Sequence, residues 1–266
     1  MDMKKWIASA IAVWMLAFSL VGCGGKEIAQ ASSDMEYVKS KGKLVVGITD
    51  FAPMDYKDAQ GEWIGFDADL AKAFAESLGV EAEFVEIDWD NKVPELDGKT
   101  IDCVWNGMTL TDEVRSAMSC TNAYCNNAQV VIVPADQAAN YQSAEDCKEL
   151  NFAVESGSAG QDQADANGFS YTEVHDQATA LMEVAAGTCD AAIIDSLMAA
   201  AMVGEGTSYA DLTYTVALNS EEYGVGFRKG SDLTEALNTF FADALADGTM
   251  MKLAETYGVQ AAIISE

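Results

Sequence analysis

Apolar and polar positions alternate along the chain in two rhythms. KLVVGI (43–48), EFVEI (83–87), IDCVWN (101–106) and AQVVIV (128–133) are short runs rich in β-branched residues, which predict strands buried on both faces. Between the first two, FDADLAKAFAESLG (66–79) brings Phe66, Leu70, Phe74 and Leu78 to one helical face, and Gly79 is the expected stop. After a polar segment the pattern restarts with the strand NFAVE (151–155), the glycine-rich turn SGSAG (156–160) and a helix. DQATALMEVAAG (176–187) predicts a helix ending in glycine, CDAAIID (189–195) a strand, and SLMAAAMV (196–203) a helix. In SDLTEALNTFFADALADG (231–248), Leu233, Leu237, Phe240, Phe241, Ala244 and Leu245 share one face, with Ser231 placed to cap the helix. Strands alternating with helices predict parallel sheets covered by helices. The restart after residue 134 predicts a second sheet, hence two α/β lobes.

The first residues follow neither rhythm. Lys4 and Lys5 precede the apolar run WIASAIAVWMLAFSLV (6–21), which is shorter than the roughly 20 residues of a spanning helix and is followed by small residues. Leu20-Val21-Gly22-Cys23 resembles a bacterial lipobox. That resemblance implies a signal peptide over residues 1–22, lipidation of Cys23 and anchoring at the extracytoplasmic face of the cell membrane. Residues 23–39, polar and glycine-led, suit a tether.

Charge narrows the function. With 43 Asp plus Glu against 15 Lys plus Arg, the net charge of −28 removes the basic face that nucleic acid requires. It also gives no attraction to anionic lipid head groups. Beyond Cys23 there are five cysteines, an odd number with no C-x-x-C spacing, and His175 is the sole histidine. A structural zinc site or a nucleophile–histidine pair is therefore not expected, and no cofactor or metal is called for. His175, between a strand and a helix in TEVHDQATAL, reads as a solvated loop residue. The turn SGSAGQD (156–162) matches neither a P-loop nor G-x-G-x-x-G, yet its backbone N–H groups at a helix start suit a small anion.

The segment WNGMTLTDEVRSAM (105–118) carries the clearest chemistry. It sets Arg115, one of two arginines in the chain, just inside a helix start crowded with Asn106, Thr109 and Thr111. A guanidinium beside neutral donors points to an anion, here the carboxylate of a small ligand.

Four stretches together resemble the bacterial extracellular solute-binding proteins of family 3, which feed polar amino acids to ABC transporters. KLVVGITDFAPMDYKDAQGEWIGFDADLAKAFAESLG is similar to the family's opening strand, aromatic–proline turn and G-F-D-x-D-L helix. WDNKVPELDGKTIDCVWNGMTLTDE is similar to its W/F-x-x-x-x-P-x-L…D motif and the following G-x-T-x-T turn. SGSAG is similar to its S-G-[ST] turn, and CDAAIID to its D-A-x-x-x-D strand.

The resemblance spans roughly residues 40–260 and implies the two-lobed type II periplasmic-binding-protein fold, closing like a hinge on a ligand. Lobe one would be residues 40–132 plus 222–266 and lobe two 133–221, with crossings near Val133-Pro134 and Glu222-Tyr223. The implied protein is a monomer that hands an amino acid to an ABC transporter permease. Asp195 would take the ligand's ammonium, Thr109 and Ser158 would donate to its carboxylate, and Phe51 would cover its side chain. Trp89 and the Asn106-Gly107 pair would complete the pocket.

One departure stands out. The family turn reads T-x-x-R, whereas here Arg115 falls four residues after Thr111, which rotates its side chain by about 100° on a helix. Lys92, two residues before Pro94, would either replace that arginine or pair with an acidic ligand side chain, whereas Glu155 would favour a cationic one, so the ligand's charge stays open. The same fold hosts dehydratases of small carboxylic acids. An enzyme is therefore the alternative, with Glu155 as its general acid.

Overall fold

The β-branched runs become the buried strands of two mixed sheets in a computed structural model that describes residues 33–265. The expected signal peptide and Cys23 lie outside the described residues. Among those described, no helix is long and apolar enough to cross a membrane.

The chain first forms α1 (Asp34–Lys41), β1 (Lys43–Ile48), a small hairpin of β2 (Tyr56–Lys57) and β3 (Trp63–Ile64), and α2 (Phe66–Ser77). There follow β4 (Glu81–Glu86), α3 (Lys92–Asp97), β5 (Cys103–Thr109), α4 (Asp112–Ala117), β6 (Ser119–Cys120) and β7 (Cys125–Asn127). A second run comprises β8 (Gln129–Pro134), β9 (Asn151–Glu155), α5 (Ala159–Asn167), β10 (Ser170–Val174) and α6 (Gln177–Ala185). It ends with β11 (Ala191–Asp195), α7 (Ser196–Met202) and β12 (Leu212–Ala217). Then β13 (Glu221–Phe227), α8 (Leu233–Ala246) and α9 (Thr249–Tyr257) complete the fold.

The first sheet has the order β4-β1-β5-β13-β6, with β7 also paired to β13. Its β1 runs parallel to β4 and β5, and β13 returns antiparallel to β5. The second sheet has the order β10-β9-β11-β8-β12, with β9 parallel to both neighbours and β8 antiparallel to both of its own. Two mixed sheets, each backed by helices, constitute the expected two-lobed α/β fold.

The crossings differ from the expected positions. Gln129–Pro134 pairs wholly within the second sheet, and Cys125–Asn127 wholly with β13 of the first. The first crossing is thus at Ala128 rather than Val133-Pro134, and the second spans residues 218–220, just before Glu222-Tyr223. An apolar run carries no mark of which sheet it joins. The expected tether is also too long, because Asp34–Lys41 is helical. Ser33 Oγ accepts from Glu36 N–H at 3.2 Å to cap this helix, and Val38 is fully buried.

The second arginine, Arg228, fastens this helix. Its Nε lies 3.0 Å from Asp34 Oδ2, its Nη2 3.2 Å from Asp102 Oδ1, and its Nη1 donates to the carbonyls of Leu96 and Ile101. Asp102 is fully buried and also pairs with Lys41 at 2.5 Å, so a network rather than a single pair satisfies it.

Helical faces fall where the periodicity sets them. Leu233, Leu237, Phe241 and Ala244 are buried, with Phe240 and Leu245 at the margin. Phe241 packs 5.5 Å from the Trp105 ring and 5.3 Å from Tyr124. Burial of each such large apolar side chain contributes about 1.5–3 kcal/mol. Asp232, not Ser231, holds the cap position of this helix, though Ser231 Oγ accepts from Leu233 N–H at 3.3 Å.

Candidate functional site

Parallel strands deliver their carboxyl ends to one edge of a sheet, and ligands of open α/β sheets bind beyond that edge. Here both sheets do so toward each other. The ends of β1 and β5 bring Thr49, Phe51, Asn106, Gly107 and Thr109 to one wall of a cavity of about 180 Å³. Glu155 and Asp195, the last residues of β9 and β11, face them from the second lobe with Gly157, Ser158 and Gln177.

Local backbone shapes both walls. Gly107 has φ +56°, and a Cβ there would meet Phe51 Cε1 at 2.4 Å, so only glycine lets the aromatic close over the strand. Phe51 is 2% exposed and meets the Tyr223 ring edge-on at 6.3 Å. Gly157, φ +71°, allows the lobes to touch, because a Cβ there would lie 2.8 Å from Asp90 Cα. At that contact Lys92 Nζ donates to Gly157 O across the cleft at 2.9 Å and to Trp89 O at 3.2 Å. His175 is exposed as expected and additionally reaches Asp88 of the first lobe, Nδ1 to Oδ1 at 2.9 Å.

The cavity is acidic. Asp90, Glu113, Glu155, Asp162 and Asp195 line it against one cation, Lys92. Burial pushes Glu155 up to about 8, with Asp195 and Asp176 adding to the effect. Burial, then Glu221, pushes Asp195 up to about 7. Burial lowers Lys92, opposed chiefly by Glu155 and Asp90. Glu155 lines the cavity, and its Oε1 is buried without a hydrogen-bond partner.

Asp195 is densely held. Its Oδ1 accepts from Gln129 Nε2 and Tyr223 OH, both at 2.8 Å, and from Asn127 Nδ2, while Gln177 Nε2 donates to Oδ2. It occupies the cap position of α7 but makes no capping hydrogen bond, so its side chain is committed to the cleft and the crossovers.

The expected residues divide into three groups. Phe51, Trp89, Lys92, Gly107, Ser158, Glu155 and Asp195 line the cavity; Ser158 Oγ caps α5 by accepting from Gln161 N–H at 3.2 Å, leaving its own proton to donate. Asn106 and Thr109 also line it, but their polar groups are engaged within the protein. Asn106 is bonded to Thr49 and Asp55, and Thr109 Oγ1 donates to Glu221 Oε1 at 2.9 Å. Arg115 is not brought in. It is exposed on α4 and outside the cavity lining, whereas Val114, three residues after Thr111, is buried and lines it. The one-residue offset turns the guanidinium to solvent.

Sequence reasoning missed Gln177, Asn127 and Gln129, which donate to Asp195, and Glu221, which accepts from the same two amides of Asn127 and Gln129. Gln129, a lone amide within an apolar strand run, was the available signal. It also missed Asp55 and Asp67, fully buried behind Phe51 and Gly107, where Asp67 Oδ2 accepts from Gly107 N–H and Tyr124 OH at 2.7 Å. Burial raises Asp55 and pushes Asp67 up to about 7.

Among the described residues no group of three or more His, Cys, Asp or Glu is placed to hold a metal, and Cys103, Cys120, Cys125, Cys147 and Cys189 are free thiols. Burial raises every one of these thiols, which suppresses their reactivity.

Comparison with known proteins agrees with this geometry. The model of the bacterial extracellular solute-binding proteins, family 3, matches residues 44–260. The arginine-binding extracellular protein of Bacillus subtilis is 30% identical over 260 residues, covering 94% of this chain and 96% of that protein. The L-cystine-binding protein of Escherichia coli is 29% identical over 224 residues, covering 83% and 84%. Among solved structures, an ancestral amino acid-binding protein described as a precursor of cyclohexadienyl dehydratase superposes with a TM-score of 0.77 at 32% identity, covering 85% of this chain and 99% of that one.

Proposed function

The chain belongs to the bacterial extracellular solute-binding proteins of family 3, and from that premise we propose that it captures an amino acid with a cationic side chain for an ABC importer. Capture takes place in the cleft by hinge closure, and the loaded protein, a monomer held to the membrane through lipidated Cys23, docks on a permease. The observation that carries this reading is the acidity of the cavity, five acidic side chains against one lysine at the carboxyl ends of both sheets. A cation entering there meets a field of the right sign and an unpartnered buried acceptor on Glu155.

Roles follow from chemistry. Asp195 takes the α-ammonium and Glu155 the side-chain cation. Lys92, as the cation lining the cavity, takes the carboxylate together with the Ser158 hydroxyl and the N–H groups at the start of α5. Phe51 and Trp89 cover the aliphatic part of the ligand. Arg115 has no role in this arrangement.

A second reading has one observation in its favour. A carboxyl pushed up to about 8 holds its proton at neutral pH, which a general acid for dehydration needs. The B. subtilis and E. coli relatives described above are named for binding. Capture without chemistry therefore takes precedence.

Calorimetry on the soluble protein, residues 24–266, tests both readings after unfolding and refolding remove carried-over ligand. The panel is L-arginine, L-lysine, L-histidine, L-cystine, acidic amino acids and small carboxylic acids. Micromolar or tighter binding of a cationic member, with the ligand recovered unchanged, is the expected result. Preference for an acidic amino acid would refute the charge assignment. A dehydrated product in the recovered ligand would establish the enzyme.

A further inference from the structure

Glu221 matches no motif and stands outside the roles just assigned. It opens β13 on the second crossover and is half-buried. Its Oε1 accepts from Thr109 Oγ1 at 2.9 Å, Asn127 Nδ2 at 2.7 Å and Gln129 Nε2 at 2.8 Å; its Oε2 accepts from Asn219 Nδ2 at 2.7 Å. The same two amide nitrogens, on Asn127 and Gln129, also donate to Asp195 Oδ1. Asp195 Oδ1 and Glu221 Oε1 therefore lie no farther apart than two hydrogen bonds end to end.

Among the described residues neither carboxylate forms an ion pair. Thr109 of β5, Asn127 of β7, Gln129 of β8, Gln177 of α6 and Ser196 of α7 bring only neutral groups to the cluster. Tyr223 of β13 donates its hydroxyl to Asp195. The charged groups that reach the pair are Glu155 at the end of β9 and Asp162 on α5, both acidic. The nearby cation, Lys92, is turned to the carbonyls of Gly157 and Trp89. A second carboxyl this close, without a counter-ion, raises the cost of ionising the buried Asp195. Separately, the buried and unpartnered Glu155 Oε1 marks the same cavity as a place where a donor is missing.

We infer that Asp195 holds a proton while the cleft is empty, because it is buried with the Glu221 carboxyl beside it, and that the ligand's ammonium replaces this proton, so that capture releases a proton to solvent. The exchange balances: a proton leaves the Asp195 carboxyl for water as the ammonium arrives, one positive charge exchanging for another. Glu221 is thus a positioning residue, setting through Asp195 how tightly the ammonium is held. Burial and Glu221 together raise Asp195 to about 7, the range in which such an exchange operates. The inference rests on Asp195 receiving the ammonium, as proposed above.

The test is calorimetry with L-arginine near neutral pH in buffers of different ionisation enthalpy, which counts protons released on binding. Glu155 can contribute a proton of its own, so the readout is the difference between the wild type and Glu221→Gln, which keeps one acceptor oxygen. At pH 7 the wild type is expected to release a larger fraction of a proton per bound ligand than the variant, by up to about half a proton, and its affinity to fall more steeply than the variant's as pH drops below neutrality. Equal release by the two proteins would overturn the inference while leaving amino-acid capture intact. If L-arginine does not bind, the reading above loses that ligand, and the proton question is settled on ligand-free wild type by isotope-edited carboxyl NMR. An Asp195 carboxyl titrating near neutrality supports the inference, and one fully ionised at neutral pH overturns it.

Discussion

Replacing Glu155 by glutamine should make the protein more stable and less able to bind. The carboxyl is 3% exposed, and burial pushes it from 4.5 to about 8. Its folded-state value is raised, so the folded protein holds a proton that the unfolded chain gives up. The stability linked to this group is fully present below 4.5 and is lost as pH rises through 8. At pH 7 the gap from 4.5 is about 2.5 units, and at about 1.4 kcal/mol per unit the cost of retaining Glu155 is on the order of 3 kcal/mol.

Glutamine copies the shape of the protonated acid and removes that cost. Urea unfolding of the ligand-free protein should show Glu155→Gln gaining stability over the wild type as pH rises from 5 to 8, with the slope of the unfolding transition unchanged. Ligand affinity should fall about tenfold to a hundredfold, the worth of a hydrogen bond to a charged group. A wild-type-minus-variant difference that stays constant across that pH range would refute the reasoning, since it would show that Glu155 carries the same charge folded and unfolded.

Other substitutions separate the remaining roles. Lys92→Met removes the cation lining the cavity and its bond to Gly157 O, and should weaken ligand binding about tenfold to a hundredfold in calorimetry. Arg115→Ala, on the exposed face of α4, should leave affinity within about twofold. Gly107→Ala sets a Cβ 2.4 Å from Phe51 at φ +56°, and should cost about 1–3 kcal/mol in urea unfolding. Arg228→Met leaves fully buried Asp102 with Lys41 as its remaining ion-pair partner and should cost about 3–5 kcal/mol, toward the lower end because Lys41 stays.

How much of this was legible depends on the range of the interaction. Strands Lys43–Ile48 and Asn151–Glu155 fall where the apolar runs set them, and α2 stops before Gly79, whose φ is +76°. Those are local signals. The amphipathic face of α8 was legible because its buried residues Leu233, Leu237, Phe241 and Ala244 recur at helical spacing. The short strands β6 and β7 and the hairpin of β2 and β3 were not, because pieces of two or three residues carry no period. The helix α1 was hidden by its polarity, with Val38 alone among its eight residues buried. In the site, single residues at strand ends were legible through family motifs. Their partners were not, since Gln129 and Tyr223 reach Asp195 from 66 and 28 positions away in sequence. Arg115 shows the reverse error, in which residue type suggested a role that a single step of helical register removed.

The double crossing has a consequence for the order of assembly. Strands β8 to β12 are contiguous, so the second sheet closes using only residues from Gln129 to Ala217. The first sheet has β13 inserted between β5 and β6, and Thr109 meets Glu221 across 112 residues. A chain emerging amino end first therefore presents strands β1 to β7 before their central partner exists. Until residue 227 arrives, the edge of β5 stands open, with apolar faces that favour pairing with other chains. The later lobe in space is the earlier one in time: the inserted half forms first, and the half that holds both ends of the fold waits for it.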